Sequence, residues 1–101
     1  LTRHPDITAI FAASDVAALG TIQAALELGR RIPEELAIIG FDDLEIAAKQ
    51  MIYPLSTMAQ PKERIGQLAA RMMLDIFAGK PVQSQLLNAP LVIRKTTQAA
   101  K

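Results

Sequence analysis

Leu36-Ala37-Ile38-Ile39-Gly40-Phe41 is a continuous apolar run that passes directly into Asp42-Asp43. A short run of this kind, rich in isoleucine and bounded by turn residues, fits a buried strand. A second run stands upstream: Ile7-Thr8-Ala9-Ile10-Phe11-Ala12-Ala13, ending in Ser14-Asp15. Between the two the spacing turns helical, with Val16, Leu19, Ile22 and Leu26 on one stripe. Ser14 and Asp15 supply helix-start chemistry, a short polar side chain for a free first-turn N–H. Gly29 fits a left-handed stop. Arg30-Arg31 reads as an exposed link, and Pro33-Glu34-Glu35 as a turn.

Downstream, Leu44 to Gln50 can form one or two helical turns before Pro54 interrupts. Leu55 to Ala59 fits a short extended segment. Pro61 suits the first turn of a further helix. That helix runs to about Ala78, with Ile65, Leu68, Met72 and Ile76 on a stripe and Met72-Met73 read as core. Gly79 and Pro81 end it. Leu86 to Ile93 is the last strand candidate, bent or placed at an edge by Pro90. Thr96 to Lys101 reads as a frayed tail. The order is β-α-β-α-β-α-β, an α/β pattern that predicts a parallel sheet with flanking helices and right-handed crossovers.

The composition agrees. The 101 residues are half apolar and 21% charged, which excludes intrinsic disorder. Seventeen alanines and only four aromatic residues suit helices lying close on a sheet. A net charge of +1 gives no overall field toward nucleic acid or anionic membrane. The absence of cysteine excludes disulfides and zinc–thiolate sites. No apolar run approaches the roughly 20 residues of a membrane span. Arg3 and Asp6 are not followed by a signal-type apolar stretch. The start at Leu1 suggests an internal or C-terminal piece of a longer chain.

Ligands of open parallel sheets bind beyond the carboxyl ends of the strands. Ser14-Asp15 and Asp42-Asp43 stand there. Asp15 and Asp43 are read as helix caps. Asp42, at the strand tip after Gly40-Phe41, is suited to accept two hydrogen bonds from a vicinal diol or a cationic ligand. Ser14 as a hydrolase nucleophile fails: Ala-Ala-Ser-Asp-Val lacks the glycines of a nucleophile elbow. The sole histidine, His4, lies before the strand, at its opposite end, and reads as a solvated loop residue. No EF-hand spacing surrounds Asp42, Asp43 and Glu45, and no glycine-rich phosphate loop is present. Neither a metal, a cofactor nor an enzyme is expected. Arg30-Arg31 is too short for a nucleic-acid patch.

Taken together, six blocks resemble the lactose-repressor/galactose-repressor (LacI/GalR) family of bacterial transcription regulators. They are Ala9-Ile10-Phe11-Ala12-Ala13-Ser14-Asp15, Ala18-Leu19-Gly20, Leu28 to Glu35, Ile39-Gly40-Phe41-Asp42-Asp43, Ser56-Thr57-Met58-Ala59-Gln60-Pro61, and Leu91 to Thr97. The resemblance covers nearly the whole chain, in order. It implies the C-terminal part of an effector-binding domain with the type I fold of periplasmic binding proteins. Residues 1–58 and about 86–95 would belong to the second subdomain, and the helix over about 61–80 would return to the first. In isolation that helix's apolar stripe would face solvent.

The resemblance further implies a small-molecule effector, a sugar or sugar derivative, with Asp42 on its hydroxyls. Ser14 stands where many members carry an effector-binding Asn, and Gln60 matches a Gln near the cleft. The stretch from Asp42 to Gln60 is one residue longer than the family pattern. Leu19, Ile22, Ile46 and Ile52 fall on the homodimer contact, although a stripe such as Leu19 and Ile22 is often simply core. Operator DNA would be bound only through an N-terminal domain that has no counterpart here. The implied location is cytoplasmic, with no membrane partner. A periplasmic sugar-binding protein of a transport system is the alternative; Arg94-Lys95-Thr96-Thr97 and Gln60-Pro61 favour the regulator.

Overall fold

The computed structural model describes residues 1–49 and 52–99. The two apolar runs become strands β1 (Ala9–Phe11) and β2 (Ala37–Phe41), joined by helix α1 (Asp15–Glu27). Helix α2 (Glu45–Lys49), strand β3 (Ser56–Met58), helix α3 (Lys62–Phe77) and strand β4 (Leu91–Val92) follow. Gln50, to which the second helix was expected to extend, lies outside the described residues. The chain forms two units, one of Leu1–Ala59 and Pro90–Lys101, the other of Gln60–Ala89. No helix among the described residues is long and apolar enough to cross a membrane.

The first unit holds the sheet, in the order β1-β2-β3-β4. Phe11 pairs with Ile39 and Phe41 with Met58, both in parallel. The fully parallel expectation fails at β4, which runs antiparallel to β3 with Met58 opposite Leu91. The reason is local: Ala59 N–H donates to Pro90 O at 2.8 Å, so the returning chain enters beside the end of β3 and runs back along it. The strand is also shorter than expected, since Leu86 is 98% exposed and residues 80–90 have no regular structure.

The core lies under α1. Ala18, Ile22 and Ala25 turn inward against a floor that includes Leu36, Ile38 and Leu55, all buried. The expected stripe is half wrong, because Val16 and Leu26 face outward at 66% and 43% exposure. Alanine explains the shift. Ala18 and Ala25 let the helix axis approach the sheet, so small residues rather than the bulkier Val16 and Leu26 define the contact face. Burying Ile22 and Ile38 contributes about 1.5–3 kcal/mol each.

Both long helices end alike. Gly29 and Gly79 have φ of 73° and 74°, and the residue after each donates its N–H to a carbonyl five positions back. This is the left-handed stop that glycine enters without a Cβ penalty. Arg30 is not merely an exposed link: its guanidinium donates to Pro5 O and Ile7 O at 2.6 and 3.2 Å and holds the segment before β1. Arg31 closes the turn before β2. It meets Glu35 through its backbone N–H at 3.1 Å and its side chain at 2.9 Å, and these bonds hold the Glu35 carboxyl below its ordinary pKa.

The expected frayed tail is anchored at its start, while Ala100 and Lys101 lie outside the described residues. Thr96 is fully buried, its hydroxyl donating to Ile38 O at 2.6 Å and accepting from Ser56 N–H at 2.9 Å. Thr96 O accepts from Ile38 N–H at 2.9 Å. Thr96 thus fills the slot on β2 that β3 starts too late to reach, satisfying both main-chain groups of Ile38.

In the second unit α3 buries no residue. Ile65 and Ile76 are 41% and 53% exposed, and Met73, expected in the core, is 52% exposed. Leu68 and Met72 are half-buried and, with Leu87, line a shallow groove beside the segment after α3.

Candidate functional site

Register places the two polar pairs at one edge. Ser14 and Asp42 each stand three residues beyond the paired Phe11 and Ile39 of adjacent parallel strands. Ser14 has extended backbone at the start of α1, and its Oγ accepts from Ala17 N–H at 3.1 Å. The cap is therefore Ser14, not Asp15. A hydroxyl accepting in this way still carries a proton to donate.

Asp15 is a correction to the sequence reading. It lies inside helix α1, fully buried. Its Oδ2 accepts from Leu44 N–H and its Oδ1 from the Thr57 hydroxyl, both at 2.7 Å. Gly40 makes room for it: a Cβ there would collide with Asp15 Oδ1 and stand 2.8 Å from Leu55 Cδ2. The carboxylate ties the start of α1 to β3 and to the loop after β2.

That loop carries Asp42. Asp42 and Asp43 have φ of 140° and 65°, positive values that side-chain-bearing residues rarely adopt. Such residues cost about 1–3 kcal/mol each and persist where the surroundings hold them. Three tethers do so, one per residue. Asp42 N–H donates to Met58 O at 3.0 Å. Asp43 Oδ1 accepts from Arg94 at 2.6 Å. Leu44 N–H reaches Asp15. The Arg94 guanidinium also donates to Leu55 O at 2.8 Å. The Asp42 side chain is partly exposed at the end of β2, where an acceptor-only carboxylate suits hydroxyl groups.

Gln60 belongs to the second unit, where its carbonyl accepts from Lys62 N–H at 2.9 Å. The expected dimer residues divide. Ile22 is 2% exposed and is core, offering a partner almost no surface. Leu19 is half-buried, and Ile46 and Ile52 are 49% and 91% exposed. Leu19, Leu26, Ile52 and Tyr53 line an open, largely apolar groove of about 530 Å³ with Ile22 also contributing to its wall. Among the described residues no group of three His, Asp or Glu side chains is placed to hold a metal ion.

Sequence reasoning missed Arg94, Thr57 and Thr96 as individual residues. An isolated glycine in a strand does signal close approach, and Gly40 was such a sign.

Comparison with known proteins places this geometry. Residues 1–97 match the periplasmic binding protein-like domain family. The chain is 36% identical to the ribose operon repressor of Halalkalibacterium halodurans, over all of this chain and 31% of the repressor. A solved complex of the transcriptional regulator CelR with cellobiose superposes with a TM-score of 0.86 at 34% identity, over 95% of this chain and 30% of that one. The lac repressor dimer bound to operator and the anti-inducer ONPF gives 0.83 at 38% identity, over 91% and 32%. The chain thus spans about a third of the length of these relatives. It belongs to the periplasmic binding protein-like domain family, in the form carried by transcriptional regulators of the LacI type.

Proposed function

We propose that these residues are the effector-binding and dimer-forming part of a LacI/GalR-type transcriptional regulator, a binding module rather than an enzyme. The carrying observation is the Asp42 carboxylate, held at the carboxyl end of β2 on a loop tethered at every residue. Asp42 accepts from the hydroxyls of a small sugar, and Ser14 donates one hydrogen bond. Residues 1–58 and about 86–95 form the second subdomain. The helix over about 61–80 returns to the first, which covers its exposed apolar stripe. Operator DNA is met through a separate N-terminal domain, in the cytoplasm.

Isothermal titration calorimetry of the full-length regulator tests the site, with a panel of neutral mono- and disaccharides that includes D-ribose and cellobiose. Asp42→Asn is expected to lose about 1.5–3 kcal/mol of binding free energy, the worth of a hydrogen bond to a charged group, because one of the two acceptor oxygens becomes an NH2 donor and that bond is lost. That is roughly 10- to 100-fold in Kd. Equal affinity of the two proteins, or no heat from any sugar, would sink the assignment.

Self-association is assigned to Leu19 and Ile52 of the α1 groove and to the exposed Ile46, with Ile22 supporting it from the core. Leu19→Lys places a charge at that rim. The full-length variant is expected to sediment as a folded monomer at concentrations where the wild type is dimeric. A folded, fully dimeric variant removes Leu19 from the interface.

A further inference from the structure

We propose that Arg94 is a positioning residue for the effector, a latch that fixes the backbone presenting the Asp42 carboxylate; this rests on the assignment of Asp42 as the effector-binding residue. Arg94 is held at three points. Its backbone N–H donates to Ser56 Oγ at 2.8 Å. One arm of the guanidinium donates to Leu55 O and the other to Asp43 Oδ1, at 2.8 and 2.6 Å. Its side chain is only 20% exposed, so water competes weakly for these bonds.

The consequence runs through Asp43. Its left-handed φ is adjacent to the positive φ of Asp42, and the peptide between them orients both side chains. If Asp43 relaxes to negative φ, that peptide turns and the Asp42 carboxylate leaves the strand end. Arg94 prevents this by gripping Asp43 against the backbone at the start of β3. The shape of the guanidinium matters. Two acceptors on two different segments need a planar fork, which an ammonium does not provide. Arg94 also comes from the chain that re-enters the first unit at Pro90, 51 positions from Asp43. The loop bearing the ligand carboxylate is thereby tied to the returning segment as well as to Asp15 and Met58.

The test uses the full-length regulator and the same sugar panel, with Arg94→Met, Arg94→Lys, Asp43→Asn and Asp42→Asn. Arg94→Met and Asp43→Asn are each expected to weaken sugar binding about tenfold in protein that melts cooperatively. The double variant should lose no more than the larger single loss, since both remove one contact. Arg94→Lys should recover part of the affinity. Hydrogen exchange in sugar-free protein, read in every case, should quicken at the amides of 42–44. Wild-type affinity in folded Arg94→Met, losses that add, or unchanged exchange would overturn the latch. Should Arg94→Met fail to fold, Arg94→Lys and Asp43→Asn decide by the same criteria. Loss of affinity in Asp42→Asn beside wild-type affinity in Arg94→Met sinks the latch alone. Unchanged affinity in Asp42→Asn sinks the effector assignment, and the latch with it.

Discussion

Gly40→Ala is expected to cost about 3 kcal/mol of stability, the upper end of what overpacking a well-filled core costs. Elsewhere in a strand the same change gains about 0.5–1 kcal/mol from the stiffer unfolded chain. Here sterics win. The added methyl meets Asp15 Oδ1, Leu55 Cδ2 at 2.8 Å and the Asp15 Cα at 3.3 Å. Asp15 cannot swing aside cheaply, because both of its oxygens are engaged at 2.7 Å. Urea denaturation of the full-length regulator checks this. A midpoint equal to the wild type's would mean that α1 can lift from β2 at little cost.

Asp15→Ala is expected to cost about 2–5 kcal/mol, because two neutral donors lose their acceptor at about 1–3 kcal/mol each. As a mere helix cap it would cost about 0.5–2 kcal/mol, so the size of the loss separates the two roles. The variant takes the acceptor away from the buried Thr57 hydroxyl and from the half-buried Leu44 N–H. Asp15→Asn keeps one acceptor and should lose about half as much. Thr57→Val added to Asp15→Ala removes one orphan and should recover part of the loss. Asp15→Ala also clears space for a Cβ at position 40, so combined with Gly40→Ala the losses should fall well short of additive. A fall under 1 kcal/mol for Asp15→Ala in the same denaturation experiment would return Asp15 to a capping role.

The element order and the helix limits were legible because they rest on local signals. Apolar runs, a serine before α1 and glycines after α1 and α3 each act within a few residues. What escaped was set by contacts far apart in sequence. Nothing near Thr96 announces that it fills a slot on β2, and a run of threonines before alanines looks like a loose end. The inward face of α1 was misjudged because volume was taken as the guide to burial, where closeness to the sheet favours Ala18 and Ala25. Asp42 could be picked out by its place at a strand tip. Arg94 could not, because its partner stands 51 residues away.

The threonine in the β2 slot also sets a timetable for synthesis. Ile38 finds the partner for its carbonyl 58 residues later in the chain. Ribosomes add about 5–20 residues per second, so Ile38 waits roughly 3–12 seconds for Thr96 to be made. Throughout that interval the Ile38 position of β2, beyond the reach of β3, keeps unpaired main-chain groups, the kind of edge that templates mispairing between chains. Closing so long a loop is slow compared with forming α1 or α3, whose bonds are local. The sheet is therefore completed last, by the segment that the ribosome releases last of the four strands.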